Sequence, residues 1–328
     1  MSRTYDAETL FKMSRFNESR LLSTGVELDL FTLLAASPLS VEEIIEKTEA
    51  NLRGMTILLD ALSAMELLIK EDGRYQTNPS AAPFLSEDSP ESILPGLRHS
   101  AHLWYTWSQL TELVTTGRQP ERPVTSFTQD RIKAFIGAMH VGASRAASRL
   151  VEAINPGEAK ALIDVGGASG TYTLAFLKAS PEMKATLFDL PEVIEMARER
   201  VGKAGMLERV NLVSGDFYED DLPPGHDLAL LSAIIHQNSP EQNLDLYRKI
   251  YDALESGGRI VIRDHVMSSD RTRPVSGAIF AVNMLVNTPG GGTYTFEEIE
   301  HGLMEAGFAR VAAIQNEGMF SLVEAFKP

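Results

Sequence analysis

Cysteine is absent from this chain of 328 residues. Its absence excludes disulfide bonds, zinc sites built on thiolates and catalysis by a cysteine nucleophile. The chain also lacks any apolar run of about eighteen residues, the least that spans a membrane as a helix, and its first residues lack the apolar core of a secretory signal. We therefore expect a cytoplasmic protein that has no membrane partner.

Positive charge is also scarce, since 30 lysines and arginines stand against 45 aspartates and glutamates, for a formal net charge of -15. Such a chain repels phosphate backbones, because nucleic-acid binding depends on clustered cations that release counterions. Nucleic acid is therefore not an expected partner. Apolar residues still make up 44% of the chain, whose length exceeds one comfortable hydrophobic core. We expect a folded protein of two packed units.

The first 100 residues predict a small winged-helix domain. Ser40 and Glu43 have the spacing of a capping box, Asn51 can cap the next helix, and Glu-Asp-Gly at 71–73 suits a tight hairpin turn. DNA-binding winged helices share this order, but the second helix offers Arg53 as its only cation for base contacts. Packing or dimerisation is the interpretation we favour, because the apolar helix surface upstream exceeds what a small domain needs. The alternative is that this surface covers the chain's own core.

Residues 101–155 continue as helices and carry both tryptophans of the chain. Aromatic side chains dominate cores as readily as ligand pockets, so the segment is either a helical substrate-pocket segment or plain core. In the pocket interpretation, the side chains that contact substrate are Trp104, Trp107, Phe135 and Met139.

Residues 156–328 show short apolar strands that alternate with helices, which is typical of an α/β fold with a parallel sheet covered on both faces. The predicted strands are 161–165, 185–188, 210–213, 228–231 and 259–263, followed by two antiparallel neighbours at 309–314 and 320–325.

A glycine-rich turn follows the first of these strands, in the run DVGGASGT at 164–171. Gly166, Gly167 and Gly170 let the backbone approach a nucleoside cofactor, and the helix that follows starts with unpaired N–H groups. Asp189 ends the second strand, where a carboxylate can accept hydrogen bonds from ribose hydroxyls. These features alone fit a nicotinamide cofactor as well as S-adenosylmethionine (SAM).

Two details separate these cofactors in favour of SAM. The turn does not read G-x-G-x-x-G, and Asp164 places a carboxylate where a pyrophosphate would be repelled. A carboxylate attracts the ammonium and sulfonium groups of SAM. The third strand then ends in Asp216 and Phe217, which offer a carboxylate to an adenine amino group and a ring to the adenine face.

The chain resembles the bacterial and plant small-molecule O-methyltransferases, the group that contains the caffeate and hydroxyindole methyltransferases. The resemblance is carried by DVGGASGTY at 164–172, FDLPEV at 188–193, SGDFY at 214–218 and the run 231–266. It implies a Rossmann-like domain of seven strands that binds SAM and releases S-adenosylhomocysteine. This domain is preceded in the chain by an α-helical winged-helix domain that forms a homodimer. The cofactor-binding residues so indicated are Asp164, Gly166, Gly167, Gly170, Asp189, Leu190, Asp216, Phe217 and Ser232. Ala168 is a departure, because the family usually has glycine there.

The resemblance also implies a catalytic base. His236 follows the fourth strand, at the sheet edge where ligands bind, and matches the family's catalytic histidine. Asp264 ends the fifth strand and matches the acid that orients this base. The chain departs from the family at two places here. Gln237-Asn238 replace the family's Asp-Trp, so the pocket wall must differ. Thr293 falls where a second acid is expected, which weakens the case for phenol deprotonation.

Three residues on the helix before the Pro-Gly-Gly turn at 289–291, Asn283, Met284 and Asn287, are expected to face the acceptor, with plain core as the alternative. His265 and His301 have no partner at metal-ligand spacing, so we interpret them as structural or solvated and expect no catalytic metal.

The leading hypothesis is a methyltransferase that acts on a hydroxyl of a small aromatic or polyketide-like metabolite. Methylation of nitrogen or carbon stays open at this point, as does a lyase or pericyclase that binds SAM without transferring its methyl group. A DNA-binding SAM sensor would need a basic surface that the winged segment lacks.

Overall fold

The structure is a computed structural model that describes residues 4–119, 129–144, 146–315 and 319–328. It divides the chain into two compact units, Met1–Trp104 with Thr128–Val141 and Tyr105–Phe127 with Gly142–Pro328. The division falls within the helical segment predicted over 101–155, so this segment is shared between the two units. The three-part division at residues 100 and 155 stays a prediction.

The first unit begins with short helices around a small sheet. The elements are α1 (Ala7–Met13), α2 (Asn17–Glu27), α3 (Leu30–Ala36), β1 (Leu39–Ser40), α4 (Val41–Thr48), α5 (Leu52–Ala64), β2 (Leu68–Glu71), β3 (Arg74–Thr77) and α6 (Ala82–Leu85). The strands are antiparallel in the order β1-β3-β2. A buried cluster that includes Phe31, Leu34, Ile44, Leu59 and Leu62 forms the core of this unit.

The local signals of the winged segment are confirmed. Ser40 and Glu43 form a capping box at the start of α4, and the Asn51 side chain accepts a hydrogen bond from the Gly54 amide at the start of α5. Between β2 and β3, Asp72 and Gly73 adopt φ angles of 48° and 75°, the left-handed pair that a two-residue hairpin turn requires.

The remaining elements include the large sheet of the second unit. They are α7 (Leu94–Ser108), α8 (Leu110–Thr116), α9 (Gln129–Ser144), α10 (Ala147–Ile154), β4 (Ala161–Val165), α11 (Thr171–Ala179), β5 (Lys184–Asp189), α12 (Pro191–Lys203), β6 (Val210–Ser214), β7 (His226–Ser232), α13 (Pro240–Ala253), β8 (Leu254–Asp264), β9 (Val266–Met267), α14 (Val275–Asn287), β10 (Tyr294–Thr295), α15 (Phe296–Glu305), β11 (Ala309–Gln315) and β12 (Ser321–Phe326). Short 3-10 helices span Leu207–Arg209 and Ile235–Gln237.

The seven-stranded sheet confirms the predicted α/β fold. Its strand order is β11-β12-β8-β7-β4-β5-β6, and each predicted strand is present within a few residues of its expected ends. The five inner strands from β8 to β6 are parallel, whereas β12 pairs antiparallel with β8 and β11 pairs antiparallel with β12, as expected. The two-residue strands β9 and β10 pair in parallel and were not predicted.

The order of the strands determines where a ligand can bind. Strand β4 lies between β5, the next strand in the chain, and β7, to which the chain returns after β6, so the direction of strand order reverses at β4. Ligands bind at such a point in the crevice outside the carboxyl ends of the strands. Two apolar clusters cover the opposite faces of the sheet and hold these strand ends in place. No helix in the described part of the chain combines the length and the apolarity that a membrane crossing requires.

Candidate active site

The glycine turn after β4 has a backbone that mostly requires glycine. Gly166 and Gly170 have φ angles of +68° and +76°, in the left-handed region, and a Cβ on Gly167 would lie 2.9 Å from both the Asp164 Cγ and the Leu187 Cγ atoms. Ala168 adopts φ +49°, so alanine is accommodated in the left-handed region where the family usually has glycine. The turn therefore leads directly into α11 with its backbone close to the sheet edge.

Asp189 holds this turn from the neighbouring strand. Its Oδ2 atom accepts a hydrogen bond of 2.8 Å from the Ala168 amide, and its Oδ1 atom accepts one of 2.8 Å from the Leu190 amide. Burial raises the pKa of Asp189, against the lowering effect of these two amides. The carboxylate thus links the ends of β4 and β5, while the Leu190 side chain beside it is 45% exposed.

Asp164 is buried at the end of β4, with 1% of its surface exposed. The Thr173 hydroxyl donates a hydrogen bond of 2.6 Å to its Oδ2 atom. Burial raises the pKa of Asp164 to about 6, and the nearby Asp189 acts in the same direction. An acid in such a place favours a cationic ligand group, because a nearby positive charge stabilises the ionised carboxylate.

The end of β6 contributes Asp216 and Phe217. The Asp216 Oδ1 atom accepts a hydrogen bond of 2.9 Å from the Tyr218 amide, which holds the loop in a turn. A Cβ built on Gly166 would lie 3.7 Å from the Phe217 Cε1 atom, so the Phe217 ring lies beside the glycine turn. The structure therefore brings the predicted adenine contacts to the same sheet edge as Asp164 and Asp189.

His236 and Asp264 are in direct contact. The His236 Nδ1 atom lies 2.8 Å from Oδ1 and 3.0 Å from Oδ2 of Asp264. Because an ionised carboxylate only accepts hydrogen bonds, this contact places a proton on Nδ1, and in the neutral imidazole Nε2 then keeps its lone pair. Asp264 is fully buried, and the His236 side chain is 12% exposed. This pair has the chemistry of a general base and the acid that orients it.

The backbone of His236 is held by the glycine turn at 290–292. The Gly292 amide donates a hydrogen bond of 2.8 Å to the His236 carbonyl, and a Cβ on Gly291 would lie 2.5 Å from that carbonyl oxygen. The sequence prediction used this turn only as a landmark. Its contact with the His236 carbonyl shows that it positions the backbone of His236.

Phe280 and His265 complete the surroundings of His236 and were missed as site residues. The Phe280 ring meets the His236 ring edge-on, with centroids 4.8 Å apart, and stacks on the His265 ring at 4.2 Å. His265 is buried, which agrees with the structural alternative and not with the solvated one, and burial lowers its pKa to about 4. Phe280 lies on the same helix as Asn283 and Met284, which the sequence had already indicated as facing the acceptor. Its position on that helix was the one sequence signal that could have identified it.

Two residues at positions where the chain departs from the family, Asn238 and Thr293, are buried. Asn238 is fully buried; its side chain donates to the Asn243 side chain at 3.0 Å and accepts from the Tyr218 hydroxyl at 2.5 Å. Asn238 therefore fastens the start of α13 instead of forming an exposed wall. Thr293 is 4% exposed, and its carbonyl accepts a hydrogen bond from Arg271.

Some of the predicted acceptor contacts lie together in the second unit. The Trp107 indole N–H donates a hydrogen bond of 2.9 Å to the Asn283 side chain, and the Asn287 side chain donates one of 3.0 Å to the same oxygen atom. Thr106 donates to the Asn287 side chain at 3.0 Å. Met284 is 7% exposed and is therefore mostly packed within the unit.

Other predicted acceptor contacts belong to the first unit. Trp104 is 42% exposed and lies 5.4 Å from the Phe16 ring, centroid to centroid. Phe135 is 43% exposed beside His99, and Met139 is 38% exposed. These side chains stay predictions as acceptor contacts. Among the residues that the structure describes, no three histidine, aspartate or glutamate side chains are grouped so that they could hold a metal ion.

Comparison with known proteins identifies the family. The O-methyltransferase domain model matches residues 125–309, and the O-methyltransferase dimerisation domain model matches residues 12–87. The chain is 31% identical over 307 residues to 3-hydroxy-5-methyl-1-naphthoate 3-O-methyltransferase of Streptomyces sahachiroi, covering 91% of this chain and 88% of that protein. It is also 31% identical over 320 residues to the tetracenomycin polyketide synthesis 8-O-methyl transferase TcmO of Streptomyces glaucescens, covering 95% and 94%.

The fold is also that of solved methyltransferase structures. The structure described as PigF with SAH has a TM-score of 0.84 and 25% identity, covering 99% of this chain and 100% of that one. The expected family, fold and cofactor are confirmed. The chain therefore belongs to the O-methyltransferase family, and it is a methyltransferase whose cofactor is SAM.

Proposed function

We propose that this methyltransferase acts on a hydroxyl group of a small aromatic or polyketide-like molecule, with His236 as the general base. The contact between His236 and Asp264 is the observation that carries this proposal, since an oriented imidazole is what a neutral hydroxyl needs. The names of both relatives at 31% identity support the acceptor class, because both describe O-methylation and one names a naphthoate and the other a polyketide.

The glycine turn and the acidic strand ends are the proposed cofactor site. We place the cofactor's ammonium group near Asp164, its ribose near Asp189 and its adenine near Asp216 and Phe217. Asp164 supports this placement because a nearby cation stabilises the ionised form of a buried carboxyl group. Gly166 and Gly167 fit this placement because a Cβ on either residue would clash with neighbouring side chains, so only glycine keeps the turn packed closely against the strand ends.

The chain's own residues supply positioning and proton transfer. When bound, SAM supplies a methyl group on a positively charged sulfur. His236 Nε2 then accepts the proton of the acceptor hydroxyl as the oxygen attacks, and Asp264 stabilises the imidazolium that forms. Phe280 excludes water from one edge of the His236 ring. Trp107, Asn283 and Asn287 are the second unit's proposed contacts to the acceptor.

A panel of acceptors with labelled SAM tests the proposed reaction. Hydroxynaphthoates and polycyclic phenols are expected to receive the labelled methyl group on oxygen, as located by NMR of the product. Matched amines and acceptors with an activated ring carbon serve as comparisons. Label on nitrogen or carbon, or no transfer to any acceptor, would contradict O-methylation.

Cofactor binding should weaken in mild acid. The pKa of Asp164 is raised to about 6, so below this pH the carboxyl group becomes neutral and no longer attracts an ammonium group. We expect the affinity for S-adenosylhomocysteine to fall as the pH drops from about 7 to 5, by up to about tenfold per unit below the pKa. Calorimetry across this range measures it. The Asp164→Asn variant should bind weakly with a flat profile, and a wild-type profile in that variant would exclude Asp164 as the cause.

A homodimer formed through the N-terminal helices is the second part of the proposal. The dimerisation domain match supports it, as does α1, which buries none of its residues in the described chain. Phe11 and Met13 on this helix are 70% and 63% exposed. Apolar side chains so placed are typical of a surface that a second subunit covers.

Charged residues on α1 should therefore separate the subunits. The Phe11→Glu/Met13→Glu double variant is expected to elute as a monomer, because two buried carboxylates would oppose association. Light scattering after size exclusion measures the mass. Met304→Glu is the matched control, since Met304 is 60% exposed on α15 and should leave a dimer intact. A dimeric double variant would place the interface elsewhere.

A further inference from the structure

Arg263 is a half-buried cation at the end of β8, beside Asp264 in the chain. Its Nη1 atom donates a hydrogen bond of 3.4 Å to the Ser232 hydroxyl on the neighbouring strand β7. In the described part of the chain, its guanidinium forms no ion pair with a carboxylate. The other arginine of this strand, Arg259, does form an ion pair with a carboxylate.

Arg259 is an arginine of the same strand whose charge is paired within the sheet. It lies four residues earlier, so both side chains point to the same side of the sheet. The Arg259 Nη1 atom lies 2.8 Å from the Glu324 Oε2 atom, which is on the antiparallel strand β12. Glu324 is opposite Val261, one diagonal step from Arg259, whereas the residue opposite Arg263 is Leu322. Strand β12 thus provides a carboxylate that pairs with Arg259, and none of its described residues pairs with Arg263.

Two aromatic rings hold the Arg263 side chain in place. The guanidinium carbon lies 3.8 Å from the centroid of the Phe320 ring and 5.4 Å from that of the Tyr172 ring. Such contacts orient a cation without neutralising it. Burial lowers the pKa of Arg263, which shows that its charge has already lost part of its hydration. An anion that binds there meets a cation that is oriented and partly desolvated.

Tyr172 also connects Arg263 to the proposed cofactor site. It is the second residue of α11, directly after the glycine turn. Burial is the main cause that raises the pKa of Tyr172. The charge of Arg263 acts to lower this pKa and the charge of Asp164 acts to raise it, so both charges act on one hydroxyl. Strand β7 alone separates β4, which carries Asp164, from β8. The two strands are therefore about 10 Å apart, a distance that an arginine side chain can largely span.

The methionine portion of SAM carries an ammonium and a carboxylate group on one carbon atom. We propose that Arg263 binds this carboxylate, with Ser232 and Tyr172 holding the guanidinium in place. The pairing is complementary, since Asp164 attracts the ammonium and Arg263 the carboxylate of the same carbon. It rests on the proposed placement of the cofactor and is independent of the acceptor.

Calorimetry with two ligands tests the pairing directly. S-adenosylhomocysteine has a negatively charged carboxylate where its carboxamide has a neutral amide, and both ligands keep the ammonium group. The wild-type protein is expected to prefer the acid by on the order of 10- to 100-fold, the worth of a charge-assisted hydrogen bond to a guanidinium. In the Arg263→Met variant this preference should fall to about twofold or less, while the carboxamide affinity stays close to the wild-type value.

Two further variants separate this role from a merely structural one. Arg310→Met removes a guanidinium that lies over another ring, Phe326 at 4.4 Å, and should leave the preference for the acid unchanged. Arg263→Lys keeps the charge without the planar fork and should give an intermediate preference, which decides the matter if Arg263→Met does not fold. An undiminished preference in either Arg263 variant overturns the proposal. If the wild-type protein binds neither ligand, the cofactor placement itself is wrong.

Discussion

Replacing His236 with alanine is expected to lower turnover on the order of 10²- to 10⁴-fold, the usual worth of a general base, while the affinity for SAM stays nearly unchanged. The reason is that Nδ1 is engaged by Asp264 and leaves Nε2 as the atom that can take the hydroxyl proton. Single-turnover transfer of a labelled methyl group measures the chemical step, and calorimetry with S-adenosylhomocysteine measures binding.

The pH dependence of this defect reports its cause. A phenol ionises on its own near pH 10, so the deficit of the His236→Ala variant should shrink as the pH approaches the pKa of the acceptor. His301→Ala is the matched control, because the His301 side chain is 84% exposed and should not affect turnover. Unchanged turnover of His236→Ala at saturating acceptor would remove His236 from the reaction.

The Asp264→Asn substitution is expected to lower kcat on the order of 10²- to 10³-fold with little change in cofactor affinity. An asparagine amide can donate a hydrogen bond to Nδ1, which would place the imidazole proton on Nε2 and remove the lone pair that accepts from the acceptor. Asp264 is fully buried and also accepts a hydrogen bond of 2.7 Å from the His265 amide. The melting temperature of the variant must therefore be measured beside its kcat.

The double variant separates orientation from general damage. If Asp264 acts through His236, Asp264→Asn should cost little further turnover once His236 is alanine, because residues that act as a unit are strongly non-additive. Full additivity of the two losses would contradict the orienting role. A large loss of cofactor affinity in Asp264→Asn alone would instead indicate a distorted sheet edge.

The sheet could be predicted in detail because its signals are local. Each of the five parallel strands is a short apolar run between helices, and β4 occupies the predicted residues 161–165. The ends were less accurate where pairing extends a strand beyond its apolar run, as in β8, which begins at Leu254 instead of residue 259. The pairing of Leu254 with His226 of β7 accounts for this extension, and no local pattern reports it.

The candidate site could be predicted only in part. The glycine turn and the acids Asp164 and Asp189 stand out because strand ends and positive φ angles demand particular residue types. Phe280 and Arg263 did not stand out, since a phenylalanine on an apolar helix or an arginine at a strand end has nothing unusual in its neighbours along the chain. Their significance depends on contacts with His236 and with the rings of Tyr172 and Phe320.

The amino-acid sequence by itself determined the alternation of strands and helices, the turn that only small residues can form and the family to which the chain belongs, because these depend on near neighbours and on matched motifs. The tertiary structure decided which distant side chains meet. His236 reaches Asp264 because β7 and β8 pair in parallel and end at the same edge, and Arg263 meets the rings of Tyr172 and Phe320, which come from distant parts of the chain. Such contacts join residues that are far apart in the chain, so strand pairing determines them and local composition does not.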